Sequence, residues 1–237
     1  MKIVLKNITV KYDDKKVFNG FNGYFSLENL NVIIGKNGVG KTTLLDVLSG
    51  LVKPLEGNIT GLPPQKKIMY VFQNTPFFAD VTVQSLLKMY TSFSTTEPMI
   101  KEDPKIKQIY HQNILPLLSS RLGVLSGGER KLVFIYSSIL IDKDLYLFDE
   151  PLSGVDIENQ QKIVYLLEKL SEYRPTIVTS HDVEEFGKVN CIINYLSSKQ
   201  IGFSGKYDEL LALAGNTFDS AFVNLSNAMR NGTFERE

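Results

Sequence analysis

Residues 35–43 read GKNGVGKTT, and this stretch decides the fold of the chain. It fits the pattern G-x-x-x-x-G-K-[ST], in which a glycine-rich loop surrounds a phosphate group. A short, mostly apolar run of residues 30–34 ends at the loop, and a helical pattern begins at Thr42. The loop is therefore predicted to join a strand to a helix N-terminus, where unpaired N–H groups and the helix dipole favour an anion. The complete pattern and both flanks disfavour the alternative, a glycine-rich turn with an incidental lysine.

The individual positions of this loop suit a phosphate chain. Gly38 and Gly40 allow the backbone to close around the anion without a Cβ in the way. Lys41 is placed to reach the β- and γ-phosphates, and the hydroxyl of Thr42 is placed to reach Mg²⁺. The sequence thus predicts a site for a nucleotide with Mg²⁺.

The composition disfavours several classes of protein. The chain has 237 residues, 43% of them hydrophobic, which is enough for one large domain or a domain and a lobe. Lys+Arg and Asp+Glu both number 26, so there is no basic footprint and we expect no nucleic-acid partner. The single Cys191 cannot form an internal disulfide, which suits a reducing compartment. Because the start lacks a signal-peptide layout and no apolar run approaches the roughly 18–20 residues of a spanning helix, we expect a soluble, cytoplasmic protein.

The segments around the loop have strand character. Residues 2–10 and 17–26 are predicted to form two strands joined by a hairpin turn, with Tyr12 at its edge. An aromatic residue that closes a hairpin is explained equally well by packing and by ligand binding. Two more strands are predicted at residues 58–60 and 67–72.

The next region is mostly helical and is predicted to be an insertion between sheet elements, from about residue 75 to 122. It follows Gln73 and begins with a polar, proline-containing loop that holds Phe77 and Phe78. Residues 125–129 then read LSGGE and open an apolar helical run. A Ser-Gly-Gly helix start is a possible anion site, although a glycine cap without a ligand is the simpler explanation for this motif alone.

Residues 145–148, LYLF, have the continuous apolar character of a parallel strand that is buried on both faces. This strand delivers Asp149 and Glu150 to its carboxyl end, where ligand sites of α/β proteins lie. One carboxylate there could hold Mg²⁺ while its neighbour orients a water molecule. Pro151 disfavours the alternative, in which the acidic pair caps the following helix.

A second strand of the buried type, residues 175–180, carries His181 at its end. An isolated histidine is more often structural than functional, but this one follows a strand predicted to run parallel to the strand before Asp149. The long helix between them is predicted at residues 157–173. The remaining predicted elements are two strands and two helices, at residues 191–196, 200–204, 207–214 and 218–229.

Taken together and in order, these motifs resemble the ATP-binding subunit of ABC transporters over nearly the whole chain. Residues 35–43 resemble Walker A, residues 125–129 the LSGGE signature, and residues 145–150 Walker B. The other matches are to the Q-loop, the D-loop and the switch histidine, at Gln73, residues 153–156 and His181. The combination is specific, because other phosphate-loop proteins lack the signature.

The resemblance implies an α/β fold: a P-loop NTPase core with a mostly parallel sheet, an N-terminal antiparallel β subdomain and a helical signature subdomain. Residues 1–237 are expected to form a single ABC ATPase domain. The expected division is the β subdomain and RecA-like core at about 1–74 and 142–214, the helical subdomain at about 75–141, and a C-terminal helix and tail at 215–237.

The resemblance also implies roles for individual residues. The implied catalytic residues are Glu150 as general base, His181 on the γ-phosphate and Gln73 on Mg²⁺ and water. ATP is expected to contact Tyr12, Gly35, Asn37, Gly38, Gly40, Lys41, Thr42 and Thr43. Mg²⁺ is expected at Thr42, Gln73 and Asp149. The residues expected to act on the nucleotide of a second subunit are Ser126, Gly127, Gly128 and Glu129 of the signature, with Asp156 in the D-loop.

The implied assembly is a head-to-tail dimer with a second copy of the chain, or a homologous ATPase subunit, and with two ATP molecules between them. ATP closes the dimer and hydrolysis reopens it. An isolated Ser-Gly-Gly helix start also suggests that an anion from the second subunit is needed there. Separate transmembrane subunits would convert closure into transport, which places the chain on the inner face of the cell membrane. Residues 217–225 resemble the terminal segment of drug, bacteriocin and lipid exporters, so export is expected.

Two other function classes have arguments against them. A soluble ABC ATPase that acts on DNA or the ribosome is disfavoured by the neutral charge and the single nucleotide-binding domain. A catalytically silent scaffold is disfavoured by the intact Glu150 and His181.

One departure from the family concerns Leu132 and Ser137, in the helical run after the signature. They stand where arginines are common, so salt bridges on that helix face are in doubt.

Overall fold

Two β-sheets organise the chain in the computed structural model, which describes residues 2–94, 102–181, 183–197 and 200–212. The smaller sheet is antiparallel and has the strand order β2-β1-β4. Its strands are β1 (Lys2–Tyr12), β2 (Lys15–Ser26) and β4 (Glu56–Thr60). Tyr12 pairs with Lys15, and Asp13 in the turn between them has a φ of 49°, a conformation that aspartate tolerates. The predicted hairpin is confirmed.

The larger sheet has six strands in the order β5-β6-β7-β3-β8-β9. The first five are parallel, and β9 is antiparallel to β8. The strands are β3 (Leu30–Ile34), β5 (Ile68–Val71), β6 (Leu145–Phe148), β7 (Thr176–Thr179), β8 (Cys191–Leu196) and β9 (Ile201–Gly205). Since β6, β7 and β3 are parallel neighbours, their carboxyl ends meet at one edge of the sheet.

Helices cover the larger sheet on both faces. They are α1 (Lys41–Ser49), α2 (Val83–Ser92), α3 (Pro104–Ile109), α4 (Gly127–Ile139), α5 (Ile157–Tyr173) and α6 (Tyr207–Ala212). Among the described residues, no helix combines the length and the apolar character that crossing a bilayer requires.

Each face of the larger sheet has its own core. On β6, Tyr146 and Phe148 pack in the core that includes α4 and α5, whereas Leu145 and Leu147 pack in the core that includes α1 and the smaller sheet. All four side chains are almost fully buried. Successive strand residues point to opposite faces, and both faces are covered, so the whole strand is apolar. The prediction of a parallel strand buried on both faces is confirmed.

The region predicted as an interrupted helix, residues 105–122, is divided into short turns. Asp103 caps α3, accepting hydrogen bonds from the N–H groups of Lys105 and Ile106 at 2.9 and 3.0 Å. A short π-helix (Tyr110–Ile114) and a single 3-10 turn (Leu115–Leu117) follow the helix. Proline at position 116 has no N–H to continue an α-helical ladder, which accounts for the break.

The two positions of α4 at which arginines are common in the family, Leu132 and Ser137, make other contacts than salt bridges. Leu132 is buried in the core, and the buried Ser137 donates its hydroxyl to the carbonyl of Val133 at 2.7 Å.

The predicted helix at residues 218–229 and the exporter-like segment at 217–225 lie outside the described residues. The predicted subdomain boundaries stay a prediction.

Candidate active site

The glycine-rich loop connects the end of β3 to the start of α1, as predicted. Its backbone is left-handed at Gly38 and Gly40, where φ is 77° and 108°. Gly40 is also the N-cap of α1, and no side chain caps the helix there. The first N–H groups of α1 and the helix dipole therefore remain directed at the loop, which is the geometry that favours a phosphate.

Lys41 is held at the base of this loop. Its side chain is 8% exposed, and Nζ donates to the carbonyl oxygen of Gly35 at 3.1 Å. The same atom lies 3.5 Å from Oε1 of Glu150. The ammonium group thus lies between the loop backbone and a carboxylate at the end of β6.

The Asp149 carboxylate joins the end of β6 to the start of α1 and to the end of β7. Thr42 donates its hydroxyl to Oδ2 of Asp149 at 2.8 Å, and Thr179 donates its hydroxyl to Oδ1 at 2.6 Å. Asp149 is 4% exposed. A hydroxyl oxygen beside a carboxylate is the hard donor set that Mg²⁺ prefers when it also binds substrate phosphates.

These residues therefore fit Mg²⁺, which Thr42, Asp149 and the nearby Gln73 would hold. Across the described ranges, no group of three or more His, Cys, Asp or Glu side chains is arranged to hold a metal by itself.

Glu150 and His181 form a second pair in the same region. His181 Nδ1 lies 2.7 Å from Oε2 of Glu150, and the backbone N–H of His181 donates to that oxygen at 3.2 Å. The Glu150 side chain is 10% exposed, whereas that of His181 is 56% exposed. A sheltered carboxylate is thus held by a histidine that faces the open side of the site.

Two side chains that the sequence analysis missed hold the backbone of Glu150. Thr179 Oγ1 accepts a hydrogen bond from the Glu150 N–H at 2.9 Å. Lys131 Nζ donates to the carbonyl oxygens of Glu150 and Ser153 at 2.9 and 2.7 Å. Burial lowers the pKa of Lys131, and the nearby carboxylates of Glu150 and Asp149 oppose that shift.

A cleft of about 680 Å³ collects most of the predicted nucleotide contacts. The predicted residues that line it are Tyr12, Asn37, Gly38, Gly40, Lys41, Thr42, Thr43, Gln73, Glu150 and His181. Lys15 and Val17 also line it and were missed, and Ser153, which was predicted only as part of the D-loop, lines it too. Lys15 and Val17 begin the strand opposite Tyr12, so hairpin pairing is the signal that could have found them. Gly35 and Asp149 are not among the lining residues, but each contacts one of them: the Gly35 carbonyl accepts a hydrogen bond from Lys41, and the Asp149 carboxylate accepts one from Thr42.

The signature motif lies outside that cleft. Ser126 caps α4 by accepting the Glu129 N–H at 3.2 Å, and Glu129 Oε2 accepts the Ser126 N–H at 2.9 Å. This reciprocal capping box pairs the N–H groups of Ser126 and Glu129 within the chain, so neither of these two groups needs an anion, and the expectation that an anion binds at this helix start stays a prediction.

The signature also packs closely against the D-loop of the same chain. A Cβ on Gly128 would lie 2.7 Å from Oδ2 of Asp156. Asp156 caps α5 by accepting the Asn159 N–H at 3.0 Å, and this hydrogen bond lowers the pKa of its carboxyl. The structure thus brings Gly127 and Gly128 to the D-loop, and their role toward a second subunit stays a prediction.

Comparison with known proteins decides the family. The model of the ABC transporter ATP-binding family, described as "ABC transporter", matches residues 18–153, which is more than half of the chain. The chain belongs to the ABC transporter family. The matched range includes the residues predicted as Walker A, signature and Walker B.

Two curated relatives have comparable identity to this ABC chain. The molybdenum import ATP-binding protein ModC of Brucella abortus (strain 2308) is 31% identical over 82% of this chain and 60% of its own length. The chain thus spans about 60% of that relative. The energy-coupling factor transporter ATP-binding protein EcfA1 of Thermotoga maritima is 31% identical over 89% of this chain and 84% of its own.

A solved structure described as the ATP-binding subunit of an ABC transporter confirms the predicted α/β fold class. It superposes with a TM-score of 0.79 at 18% identity, over 95% of this chain and 100% of its own. At that identity the likeness concerns the fold alone.

The two left-handed glycines of the loop provide a matched test. A Cβ at Gly40 would lie 2.8 Å from both Phe18 and Val17, whereas a Cβ at Gly38 would meet nothing within 4 Å. Gly38→Ala should therefore lower the free energy of unfolding by about 1–2 kcal/mol, from the left-handed backbone alone. Gly40→Ala should lose a further ~1–3 kcal/mol through overpacking. Urea denaturation measures both, and equal losses would contradict the steric account.

Proposed function

We propose that this chain is the ATP-binding and ATP-hydrolysing subunit of an ABC transporter, in which ATP-driven dimer closure powers transport. One observation carries the proposal: the Glu150 carboxylate lies 2.7 Å from His181 and 3.5 Å from Lys41 beside the phosphate-loop cleft. A carboxylate there suits a general base, and the neighbouring cation suits the charge of a γ-phosphate. Membership of the family supports the same activity.

The proposed reaction is attack of water on the γ-phosphorus of ATP. A new bond forms between the water oxygen and phosphorus as the bond from phosphorus to the ADP oxygen breaks. Glu150 accepts the proton of the water, while His181 fixes the orientation of that carboxylate and reaches the γ-phosphate. Lys41 offsets the negative charge on the phosphate oxygens.

Binding of both ATP and Mg²⁺ is assigned to this cleft, which Tyr12 and Thr42 line. Tyr12, 44% exposed at the hairpin, is assigned to the adenine ring, which suits an aromatic face. When bound, Mg²⁺ supplies positive charge to the β- and γ-phosphates, and Thr42, Asp149 and Gln73 are its proposed protein contacts.

The proposed dimer places the signature of one subunit on the nucleotide of the other. Ser126 does not line the cleft of its own chain, so a contact with ATP requires a second subunit. Two exposed apolar side chains flank the motifs involved: Val124 beside the signature is 75% exposed, and Ile157 beside the D-loop is 68% exposed. Coverage by a second copy or a homologous subunit would bury both.

A groove beside Gln73 is the proposed contact for a cytoplasmic helix of a transmembrane subunit. The two adjacent aromatics there have different environments. Phe77 packs 6.3 Å from the Phe134 ring and under the Arg130 guanidinium, whereas Phe78 is 81% exposed. Phe77 thus forms part of the groove wall, and the exposed ring of Phe78 is available to contact the transmembrane subunit. This contact would hold the chain at the cytoplasmic face of the membrane.

The names of the relatives support import, whereas the sequence alone suggested export. Export was expected from residues 217–225, which lie outside the described residues. ModC of Brucella abortus is named as a molybdenum import protein, and a spermidine/putrescine relative is also named for import. These names favour import by this chain. The cargo itself is recognised by other subunits of such transporters, so the proposal leaves its chemistry open.

Glu150→Gln should retain ATP binding but slow turnover by roughly 10²–10⁴, the usual effect of removing a positioned general base. The variant should also accumulate as an ATP-bound dimer on size exclusion. Glu172→Gln, at a partly exposed position on α5, is the matched control and should leave turnover unchanged. Activity of Glu150→Gln within a few-fold of the parent would refute the general-base assignment.

Ser126→Arg should abolish hydrolysis while the monomer keeps its affinity for ATP, because Ser126 is proposed to touch only the nucleotide of the partner. Lys41→Ala should lose ATP affinity in the monomer itself. Fluorescent-nucleotide titration at low protein concentration separates the two effects. Equal losses of affinity would show that the signature does not act across a dimer.

Phe78→Ala should weaken co-purification with the transmembrane subunit and leave the melting temperature nearly unchanged, because the ring is 81% exposed. Phe93→Ala, 66% exposed but outside the proposed groove, is the matched control and should co-purify normally. If Phe78→Ala lowers the melting temperature by several degrees, the ring is part of the protein core and the groove must lie elsewhere.

A further inference from the structure

The backbone of Glu150 has an unusual conformation. Its φ is 47°, and in the described part of the chain the other non-glycine residues with positive φ are Asn7 and Asp13. Asparagine and aspartate adopt this region comparatively often, whereas a residue with a long side chain seldom does. Such a conformation persists where the surroundings hold it in place.

Thr179 holds the N–H side of Glu150. A threonine hydroxyl has one hydrogen and two lone pairs. The hydrogen is donated to Asp149 Oδ1 at 2.6 Å, which leaves a lone pair to accept the Glu150 N–H at 2.9 Å. Thr179 has no exposed surface, so water does not compete for either bond. One buried hydroxyl therefore fixes two successive residues.

Lys131 holds the C=O side of Glu150. It lies in α4, one turn after the signature glycines, and its Nζ donates to the carbonyl oxygens of Glu150 and Ser153 at 2.9 and 2.7 Å. A charged donor makes these bonds stronger than neutral ones. The two peptide groups that flank Glu150 are thus fixed by side chains from two different elements, β7 and α4.

We propose that Thr179 and Lys131 are positioning residues that hold Glu150 in its left-handed conformation and so direct its carboxylate toward His181 and the cleft. The inference rests on the proposed function, because it presupposes that Glu150 is the general base. It also links the signature helix to the general base of the same subunit, through Lys131. Neither residue lines the nucleotide cleft, and Thr179 bonds to Asp149 as well as to Glu150, so the test must separate an effect through Glu150 from one through Asp149.

The test measures kcat and KM for ATP in the full chain. Thr179→Val should lower kcat by about 10²-fold, the effect of misplacing a reacting group by about 1 Å, with little change in KM. Thr179→Ser should restore most of the rate, because it keeps the hydroxyl. Thr176→Val is the matched control: Thr176 is buried at the start of the same strand, and its hydroxyl bonds to the Arg174 carbonyl instead. Parental kcat in Thr179→Val would overturn the role of Thr179.

The second arm repeats Thr179→Val in the Glu150→Gln background. If Thr179 acts through Glu150, the double variant should hydrolyse ATP at the same residual rate as Glu150→Gln alone. An equal further loss in that background, or a raised Mg²⁺ requirement, would show that Thr179 acts through Asp149 and would overturn the proposal. If Glu150→Gln itself is fully active, the general-base assignment fails instead, so the two failures are distinguishable.

Lys131 provides an independent variant in case Thr179→Val does not fold. Lys131→Met should lower kcat with little change in KM, and Lys131→Arg should restore part of the rate because it keeps a charged donor. Lys143→Met is the matched control, since Lys143 Nζ donates to the Lys66 carbonyl at 2.7 Å, away from the cleft. Equal kcat for Lys131→Met and the parent would overturn the role of Lys131.

Discussion

The hydrogen bond from Thr42 Oγ1 to Asp149 Oδ2, 2.8 Å long, joins the helix after the phosphate loop to the end of β6. It forms because β6, β7 and β3 are parallel neighbours, which brings their carboxyl ends to one edge. Thr179, at the end of the central strand of the three, completes the link to Asp149 at 2.6 Å. The position of the loop, the depth of the cleft and the orientation of Glu150 all depend on this junction.

Asp149 and Thr179 are buried in this junction, whereas Thr42 lies at its exposed side, and the polar atoms of the three side chains are paired with one another. Throughout the described ranges, no buried side-chain nitrogen or oxygen lacks a hydrogen-bond partner. Inside a protein such bonds are electrostatically stronger than in water, and a fully satisfied network is rigid. Preorganised charge of this kind is what a phosphoryl-transfer site requires, because the protein contributes position and electrostatics rather than covalent chemistry.

Local patterns explain what could be predicted from the sequence. The phosphate loop, the strand before Asp149 and the α/β fold class follow from spacing, periodicity and strand ends. Residues 105–122 were less well predicted, because the short π-helix at Tyr110–Ile114 has no sequence pattern of its own. Thr179 and Lys131 were missed because their partners are distant in sequence. The reciprocal contact of Ser126 and Glu129 was also missed, although a serine followed three residues later by a glutamate is the sequence pattern of a capping box.

The capping box at the start of α4 has a consequence for selectivity among anions. Glu129 already occupies the Ser126 N–H and brings a negative charge to that helix end. A small free anion such as phosphate or sulfate must displace this carboxylate and overcome its repulsion. In the proposed dimer, a nucleotide is already bound by the phosphate loop of the second subunit. Most of its binding free energy then comes from that loop and not from the helix start. The helix start is therefore expected to discriminate against the abundant inorganic anions of the cell and to respond to a nucleotide presented by a second subunit.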